Sequence, residues 1–218
     1  MGGDQLQVID KAKTIRSFRV GESIYNQGEA CEGIFCIEAG NVAIRFNDES
    51  GSSKIVRMAG AGQTIGYADF FAGKAYRTSA YCLAPTTACH VAAGPLREVL
   101  GHNPSLGLAF LAHSAEDLQH ADAMSVQQAL YTVRMRLAHM VLSFKDAHGT
   151  ARDDGEITVT LPMSWQEAAE LIGARPETVS RAAQALELDQ ILSVSGRAIL
   201  IRDLDLLLDE VEPTDSSR

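Results

Sequence analysis

Residues 161–202 read LPMSWQEAAELIGARPETVSRAAQALELDQILSVSGRAILIR, and this stretch decides the fold of the C-terminal part of the chain. Ser164 and Glu167 have the S-x-x-E spacing of a capping box, which predicts a helix beginning at Ser164. Gly173 ends that helix, because glycine accepts the left-handed conformation that follows a helix end. Pro176 suits the first turn of a second helix. Two short helices joined by a glycine-containing turn are typical of a helix-turn-helix.

The second helix is predicted to have one buried and one polar face. Its apolar residues fall at i, i+3, i+4 and i+7, the spacing of a buried stripe: Val179, Ala182, Ala183 and Leu186. The other face carries the side-chain types that read base edges in the major groove, since Arg grips guanine, Glu accepts from cytosine and Ser does either. The expected DNA-contacting residues are Arg175, Glu177, Thr178, Ser180, Arg181 and Gln184.

A hairpin is predicted after the second helix. Ile191–Val194 and Ala198–Ile201 alternate like strands, and 195–197 form the turn. Such a hairpin is a wing, and Arg197 at its tip is expected to reach a phosphate. An ordinary helical pair with a solvated outer face is the alternative, but the capping box, the glycine turn and the hairpin together favour DNA binding. We call the two helices and the hairpin of residues 161–202 the reader.

Length, composition and charge narrow the function classes. The 218 residues suffice for one large or two modest domains, and 22% charged and 46% hydrophobic residues are normal for a globular protein. We see neither a signal peptide nor a membrane span, which predicts a cytoplasmic protein with no membrane partner. The net charge is −9, and 151–202 has five arginines against eight acidic residues, a net charge of −3. Specific DNA binding must therefore depend on a few placed arginines.

Short runs punctuated by glycine fill residues 10–101. Many short strands with frequent turns indicate an antiparallel barrel or jelly roll. The predicted strands are Ser23–Tyr25, Ile34–Glu38, Val42–Phe46, Lys54–Met58, Ala80–Cys82 and Thr87–Val91, and a short helix is predicted at Pro95–Val99.

A long helix is predicted from about Pro104 to Tyr131. Leu111, Leu118 and Ala121 lie near heptad spacing, which favours a self-pairing seam over ordinary core packing. Thr132 is expected to cap a further helix that runs to about Lys145, and the junction at Tyr131 and Thr132 then acts as a hinge. Ala151–Gly155 is expected to be a loop, and the tail from Glu212 is expected to fray. The predicted fold class is α+β, with a double-stranded β-helix (jelly-roll) sensor domain at 1–109, a dimerisation helix and hinge at 110–146, and a winged helix-turn-helix at 147–218.

Both halves resemble the CRP/FNR family of bacterial transcription regulators, over about residues 13–205. The matching segments are Tyr25–Glu29, Ile34–Ala43, Gly62–Gly66, Thr87–Val91, Arg136–Ala138, Leu171–Gly173 and Glu177–Arg181. The resemblance implies a homodimer that binds a palindromic promoter site, with RNA polymerase as a further partner. Glu177, Ser180 and Arg181 look like the trio of the FNR branch that reads a TTGAT-like half-site. Pro176 stands where some members carry a contacting Arg.

The sensor half departs from the family's cyclic-AMP pattern, in which a Gly-Glu-Leu segment holds the ribose and an Arg-Ser or Arg-Thr pair holds the phosphate. This chain has Tyr67 in place of the carboxylate, so cyclic AMP is disfavoured. The segment from Arg77 still resembles the phosphate clamp and suits an anion. The candidate effector-binding residues are Gly66, Tyr67, Arg77, Thr78 and Ser79.

The effector remains unknown from the sequence. The first cysteine, Cys31, falls inside the β-roll, so the N-terminal iron–sulfur cluster of the FNR branch is not expected. The cysteines have no zinc spacing, and no metal site is predicted. Haem on one of His90, His102, His113 or His120 stays open, and so does a regulator without any ligand. The cysteines are either small buried core residues or redox-active thiols. In the second case, Cys31 would act with Cys36, or Cys82 with Cys89.

Two other function classes compete with a DNA-binding regulator. A cupin-type metalloenzyme needs clustered histidines and a carboxylate on neighbouring strands, but only His90 lies in a predicted sensor strand. No nucleophile elbow, P-loop or Rossmann fingerprint occurs, so we do not expect an enzyme. A cyclic-nucleotide regulatory module without a DNA role is the second alternative, and the reader helix argues against it.

Overall fold

The computed structural model describes residues 13–152 and 155–211, so the predicted frayed tail and part of the loop at Ala151–Gly155 lie outside it. The chain forms two compact units, Met1–His120 and Ala121–Arg218. The boundary falls within one long helix. No helix in the described ranges combines the length and apolar character needed to cross a membrane.

Between residue 13 and His120, the first unit contains eight strands in two antiparallel sheets, ordered β1-β8-β3-β6 and β2-β7-β4-β5. The jelly-roll architecture predicted from six of these strands is confirmed, whereas β1 and the two-residue β6 were not predicted. The strands are β1 Lys13–Phe18, β2 Ser23–Tyr25, β3 Gly33–Ala39, β4 Asn41–Asn47, β5 Ser53–Gly60, β6 Thr64–Ile65, β7 Ser79–Cys82 and β8 Thr86–Ala92.

Alternating side chains of these strands supply two apolar clusters. The inner cluster draws on both sheets: Ile24, Tyr25, Phe35, Ile37, Val42, Ile44, Ala59, Ile65, Tyr76, Ala80, Cys82 and Ala88. The outer cluster lies on the other face of the first sheet: Ile34, Tyr67, Phe70, Cys89, Val91 and Leu96, with Cys31, Cys36, Ala93, Leu100 and Phe110 packed against it. Period-two alternation in β3 and β8 thus separates two cores.

The described residues add three helices: α1 Tyr67–Ala72, α2 Ala93–His102 and α3 Pro104–Leu130, the last of which continues past the boundary at His120. The first was not predicted, and the second is longer at both ends than the predicted Pro95–Val99. The long helix α3 matches its prediction and is described over its whole length. It has no buried residue.

The described part of the second unit contains four helices and a small four-stranded sheet. Thr132 caps α4 as predicted, with its hydroxyl oxygen accepting from the Met135 backbone N at 3.2 Å. The elements are α4 Val133–His148, β9 Gly149–Ala151, β10 Ile157–Thr160, α5 Trp165–Ile172, α6 Pro176–Leu188, β11 Leu192–Ser195, β12 Ala198–Ile201 and α7 Leu204–Asp209. The sheet order is β11-β12-β10-β9. The predicted end of α4 near Lys145 was three residues short, and the predicted loop was wrong at Ala151, which ends β9.

Candidate nucleic-acid interface

The first reader helix, α5, begins with the predicted capping box. The Ser164 hydroxyl oxygen accepts from the Glu167 backbone N at 3.3 Å, and the Glu167 carboxylate accepts from the Ser164 backbone N at 2.7 Å. Two backbone donors that would otherwise lack a partner are thereby satisfied. The box fixes where the chain enters the helix pair.

The turn between the two helices is held by an arginine from α4. Gly173 takes the left-handed conformation, at φ 68°. Arg136 Nη1 donates to the Ile172 carbonyl oxygen at 2.6 Å and to the Gly173 carbonyl oxygen at 3.2 Å. A guanidinium at a helix C-terminus also meets the negative end of the helix dipole. Arg136 therefore ties the reader pair to α4, a role that sequence spacing did not indicate.

The second reader helix, α6, buries the predicted stripe of Val179, Ala182, Ala183 and Leu186. Its polar face is turned away from that stripe. All seven predicted DNA-contacting residues are exposed: Arg175, Glu177, Thr178, Ser180, Arg181, Gln184 and Arg197. Within the described residues, the side chains of Arg175, Arg181 and Arg197 form no hydrogen bond or ion pair. Their guanidinium groups are thus available to phosphates or base edges.

The wing is a two-residue hairpin, since Ser195 pairs with Ala198 and only Gly196 and Arg197 form the turn. The predicted three-residue turn was therefore one residue too long. Trp165 Nε1 donates to the Gly196 carbonyl oxygen at 2.7 Å. This bond anchors the wing tip to the first residue of α5, and it escaped the sequence analysis because the partners are 31 residues apart.

A second arginine of α4 contacts the chain just after the ends of α6 and α7. Arg134 donates to the Asp189 carboxylate at 2.6 Å, just after α6, and through Nε to the Glu210 carboxylate at 2.8 Å, just after α7. The paired carboxylates raise the pKa of Arg134. Arg134 and Arg136 together fix the reader helices on α4 from two sides.

In the first unit, the candidate effector residue Tyr67 is buried and turned toward α3. Its hydroxyl donates to the Asp117 carboxylate, and burial together with that carboxylate raises the pKa of Tyr67. Arg57 of β5 pairs with Asp117 at 3.0 Å and donates to the Thr64 carbonyl oxygen at 3.4 Å. Tyr67, which stands where the family has a carboxylate, thus takes part in a polar contact between the β-roll and α3.

The resemblance to a phosphate clamp is met by a different arrangement. Arg77 Nε donates to the Asp69 carboxylate at 2.9 Å, and Asp69 is only 5% exposed. Ser79 is buried and its hydroxyl oxygen accepts from the Gln27 backbone N at 2.9 Å. Gly66 precedes α1 in the left-handed conformation, and Thr78 is half-buried. Within the candidate effector-binding set, Arg77 and Ser79 are therefore engaged in contacts inside the protein.

The four candidate histidines have separate surroundings. His90 lies with its ring 4.6 Å from that of Phe35, and burial lowers its pKa. His113 is half-buried, with its ring 5.2 Å from that of Tyr67, whereas His120 is exposed and His102 Nδ1 lies 2.8 Å from the Glu98 carbonyl oxygen. Within the described ranges, no group of three or more His, Cys, Asp and Glu is arranged to hold a metal ion.

The cysteines divide between the two clusters. Cys82 lies in the inner cluster and Cys89 in the outer one, so the structure separates that hypothesised pair. Cys36 packs against the outer cluster, whereas Cys31 packs against both clusters. All four cysteines lie in the described ranges as thiols.

Family models match both units. The model of the cyclic nucleotide-binding domain matches residues 15–103, and that of the Crp-like helix-turn-helix domain matches residues 135–210. Together they span most of the chain.

Named relatives match across both units as well. The transcriptional activator protein FnrL of Cereibacter sphaeroides is 24% identical over 95% of this chain and 84% of its own length. The cAMP-activated global transcriptional regulator CRP of Escherichia coli is 27% identical over 86% of this chain and 89% of its own length. The structure of FixK2 from Bradyrhizobium japonicum superposes with a TM-score of 0.82 at 25% identity, covering 93% of this chain and 98% of that one.

These relatives are transcription regulators and not enzymes, which favours the DNA-binding regulator over the cupin-type metalloenzyme. The reader geometry, the jelly roll and the two family models agree across the chain. The chain belongs to the CRP/FNR family of transcription regulators.

Proposed function

We propose that this regulator binds, as a homodimer, a palindromic promoter site with TTGAT-like half-sites. The observation that carries the proposal is the exposed polar face of α6. Glu177, Ser180, Arg181 and Gln184 fall at i, i+3, i+4 and i+7 on that face, opposite the buried stripe. A rigid helix that presents Arg and Glu in this way is suited to base edges in the major groove.

The roles within the site follow from side-chain chemistry. Arg181 donates in a bidentate manner to a guanine, and Glu177 accepts from a cytosine. Arg175 precedes the helix and Arg197 lies at the wing tip, so both contact phosphates and set the register without reading sequence. The backbone N–H groups at the start of α6 add to the phosphate contacts.

The dimer is supported by the unburied apolar residues of α3. Leu111 and Leu118 are 65% and 62% exposed, although they stand seven residues apart on one helix. Ala121 follows three residues later and is exposed too. A second copy of α3 packed on this face gives a coiled-coil seam. Without such a partner, the large apolar side chains of this face stay in water. The three residues form the proposed dimer interface.

Control of the regulator is proposed to come from a signal other than cyclic AMP. Tyr67 and Arg77 are engaged with Asp117 and Asp69, so a nucleotide phosphate would have to displace the buried Asp69 from Arg77. A signal at the β-roll shifts the regulator between two states. The polar contact of Tyr67 and Arg57 with Asp117 connects the β-roll to α3. RNA polymerase is the proposed protein partner at the promoter.

The test is a comparison of Arg181→Ala with the intact chain on a TTGAT palindrome and on duplexes changed at one base pair of each half-site. We expect a loss of about 1–3 kcal/mol and relaxed preference at one base pair, because a bidentate base contact disappears. Fluorescence anisotropy at fixed salt measures both.

The matched control is Arg202→Ala, which removes the same charge from an exposed position outside α6. It should leave the ranking of the duplexes unchanged. Equal weakening of every duplex by Arg181→Ala would contradict base reading, and absence of any preference for the palindrome in the intact chain would contradict the proposed site.

A further inference from the structure

The outer cluster contains two cysteines that face each other across neighbouring strands. In the antiparallel pairing of β3 with β8, Cys36 is the direct partner of Cys89. Both side chains belong to the outer cluster, which confirms that they project from the same face of the sheet. Two independent observations, strand register and shared packing, therefore bring these thiols together.

The spacing of such a pair suits a disulfide. Direct partners in an antiparallel sheet have Cα atoms about 4.5 Å or about 5.5 Å apart, depending on the ladder position. Disulfides join Cα atoms about 4.4–6.8 Å apart, so either ladder position allows the bond without a large backbone shift.

The other two cysteines lack this arrangement. The thiol of Cys31 donates toward the carbonyl oxygens of Gly33, at 3.4 Å, and Gly66, at 3.8 Å. Cys82 is fully buried in the inner cluster, and burial raises the pKa of its thiol. Cys36 is half-buried, and its sulfur lies 3.6 Å from the Thr64 hydroxyl.

We propose that Cys36 and Cys89 form a dithiol that hydrogen peroxide oxidises to a reversible disulfide, and that this bond is a signal to which the regulator responds. The Cys36 thiolate attacks one peroxide oxygen, the O–O bond breaks and hydroxide leaves, giving a sulfenic acid. The Cys89 thiolate then attacks the Cys36 sulfur, the S–O bond breaks and a second hydroxide leaves. The two thiol protons combine with the two hydroxides, so one peroxide and two thiols give one disulfide and two waters.

The outer cluster supplies the route from this bond to α3. Tyr67 belongs to the cluster and donates to Asp117 of α3, and Phe110 of α3 packs against the cluster. A disulfide draws the two sulfurs to about 2.05 Å, which is closer than thiols pack, so neighbouring side chains must shift. Since α3 is the proposed dimer helix, the consequence for DNA binding depends on the proposed function.

The chemistry is tested on two matched full-length variants that each keep two cysteines. Cys31→Ser with Cys82→Ala retains the proposed pair, whereas Cys36→Ser with Cys82→Ala retains Cys31 and Cys89. After peroxide, the first should become a monomeric disulfide, lighter by two hydrogen atoms in intact mass, and dithiothreitol should reverse the change. The second should keep its thiols or form sulfenic acid without a cross-link. Circular dichroism verifies that both are folded.

The signal is tested by the affinity of the intact chain for a TTGAT palindrome before and after peroxide. Allosteric coupling of ordinary size predicts a change of about tenfold, absent in Cys36→Ser. A cross-link with unchanged affinity overturns the signalling role, and no cross-link between Cys36 and Cys89 overturns the inference itself. If the cross-link forms while neither redox state prefers the palindrome, the proposed function fails and the dithiol stands.

Discussion

At the scale of single residues, Trp165 has two roles in the reader. Its place after Ser164 puts it in the first turn of α5, and its indole N–H reaches the wing tip at Gly196. The indole therefore connects the start of α5 to the wing, whose tip residue Arg197 is proposed to contact a phosphate. We expect this bond to affect DNA binding more than folding, because the Gly196 carbonyl oxygen can also accept from water.

Trp165→Phe keeps an aromatic ring and removes the donor. We expect a loss of about 0.5–1.5 kcal/mol in the free energy of unfolding, from one hydrogen bond. Affinity for all duplexes should fall together, since a displaced Arg197 reads no bases. Chemical unfolding followed by circular dichroism and anisotropy with single-base variants of the palindrome measure the two effects. Selective loss at one base pair would show instead that the wing reads sequence.

Several single-residue roles were open to sequence analysis and others were not. Ser164 with Glu167, Thr132 and Gly173 act through bonds within a few residues, which spacing reveals. Arg136 and Arg77 act on partners set by tertiary structure. No local pattern separates an arginine that caps a distant helix from one on the surface.

At the scale of elements, the junction between α3 and α4 contains a titratable side chain. The rings of His139 in α4 and Tyr131 before it stack 5.4 Å apart, at 7°. Within the described residues, the buried His139 Nε2 has no hydrogen-bond partner. Burial lowers the pKa of His139, because the imidazolium is less well solvated there.

The second unit should therefore become less stable as the pH falls below neutrality. The pKa of His139 in the folded chain lies below its value of about 6.5 in the unfolded chain. Its stabilising contribution is present above that value and is lost as the pH falls through the folded pKa. His139→Phe keeps an aromatic ring but cannot ionise. The midpoint of the unfolding transition should therefore fall less between about pH 7 and pH 5 in this variant than in the intact chain.

Fluorescence of the single tryptophan, Trp165, reports unfolding of this unit. His120→Phe, at an exposed position of α3, is the control and should follow the intact chain. An acid-side loss that is the same in His139→Phe and the intact chain would assign the pH dependence to other groups.

Element prediction succeeded where hydrophobic periodicity extended over a whole element. The buried stripe of α6 is the one that the spacing predicted, and β12 alternates between half-buried and buried residues as its sequence indicated. β6 and α1 have two and six residues, too few for a period to emerge. β1 is exposed at five of its six residues, so it lacks the alternation that marks a half-buried strand, and its place comes from pairing with β8.

At the scale of the whole molecule, charge limits how DNA can be bound. With a net charge of −9, the chain gains little from counterion release on arbitrary sequences. In the proposed dimer, discrimination between the palindrome and other DNA would then depend on base contacts by both helix-turn-helix units at once. If the proposed dimer forms, affinity for the palindrome should depend on dimerisation, because a single helix-turn-helix supplies half of the contacts.

Leu111→Glu tests that dependence. In a paired α3, one substitution removes two leucines from the seam, each worth about 1.5–3 kcal/mol of burial, and places two like charges together. The dimer dissociation constant should rise by at least about a hundredfold. Sedimentation velocity across a concentration series should then show monomers where the intact chain shows dimers. Palindrome affinity should fall with it, while unfolding of each unit should be unchanged, since Leu111 is 65% exposed in one chain.

Leu188→Glu is the matched control, because Leu188 is 82% exposed and lies at the end of α6, outside the seam. It should leave the dimer intact. A dimer that survives both Leu111→Glu and Leu118→Glu would place the contact on another surface. Half-sites one DNA turn apart require the two α6 helices to be related by the dimer's twofold axis, so loss of the α3 seam must reduce binding to the palindrome more than to a single half-site.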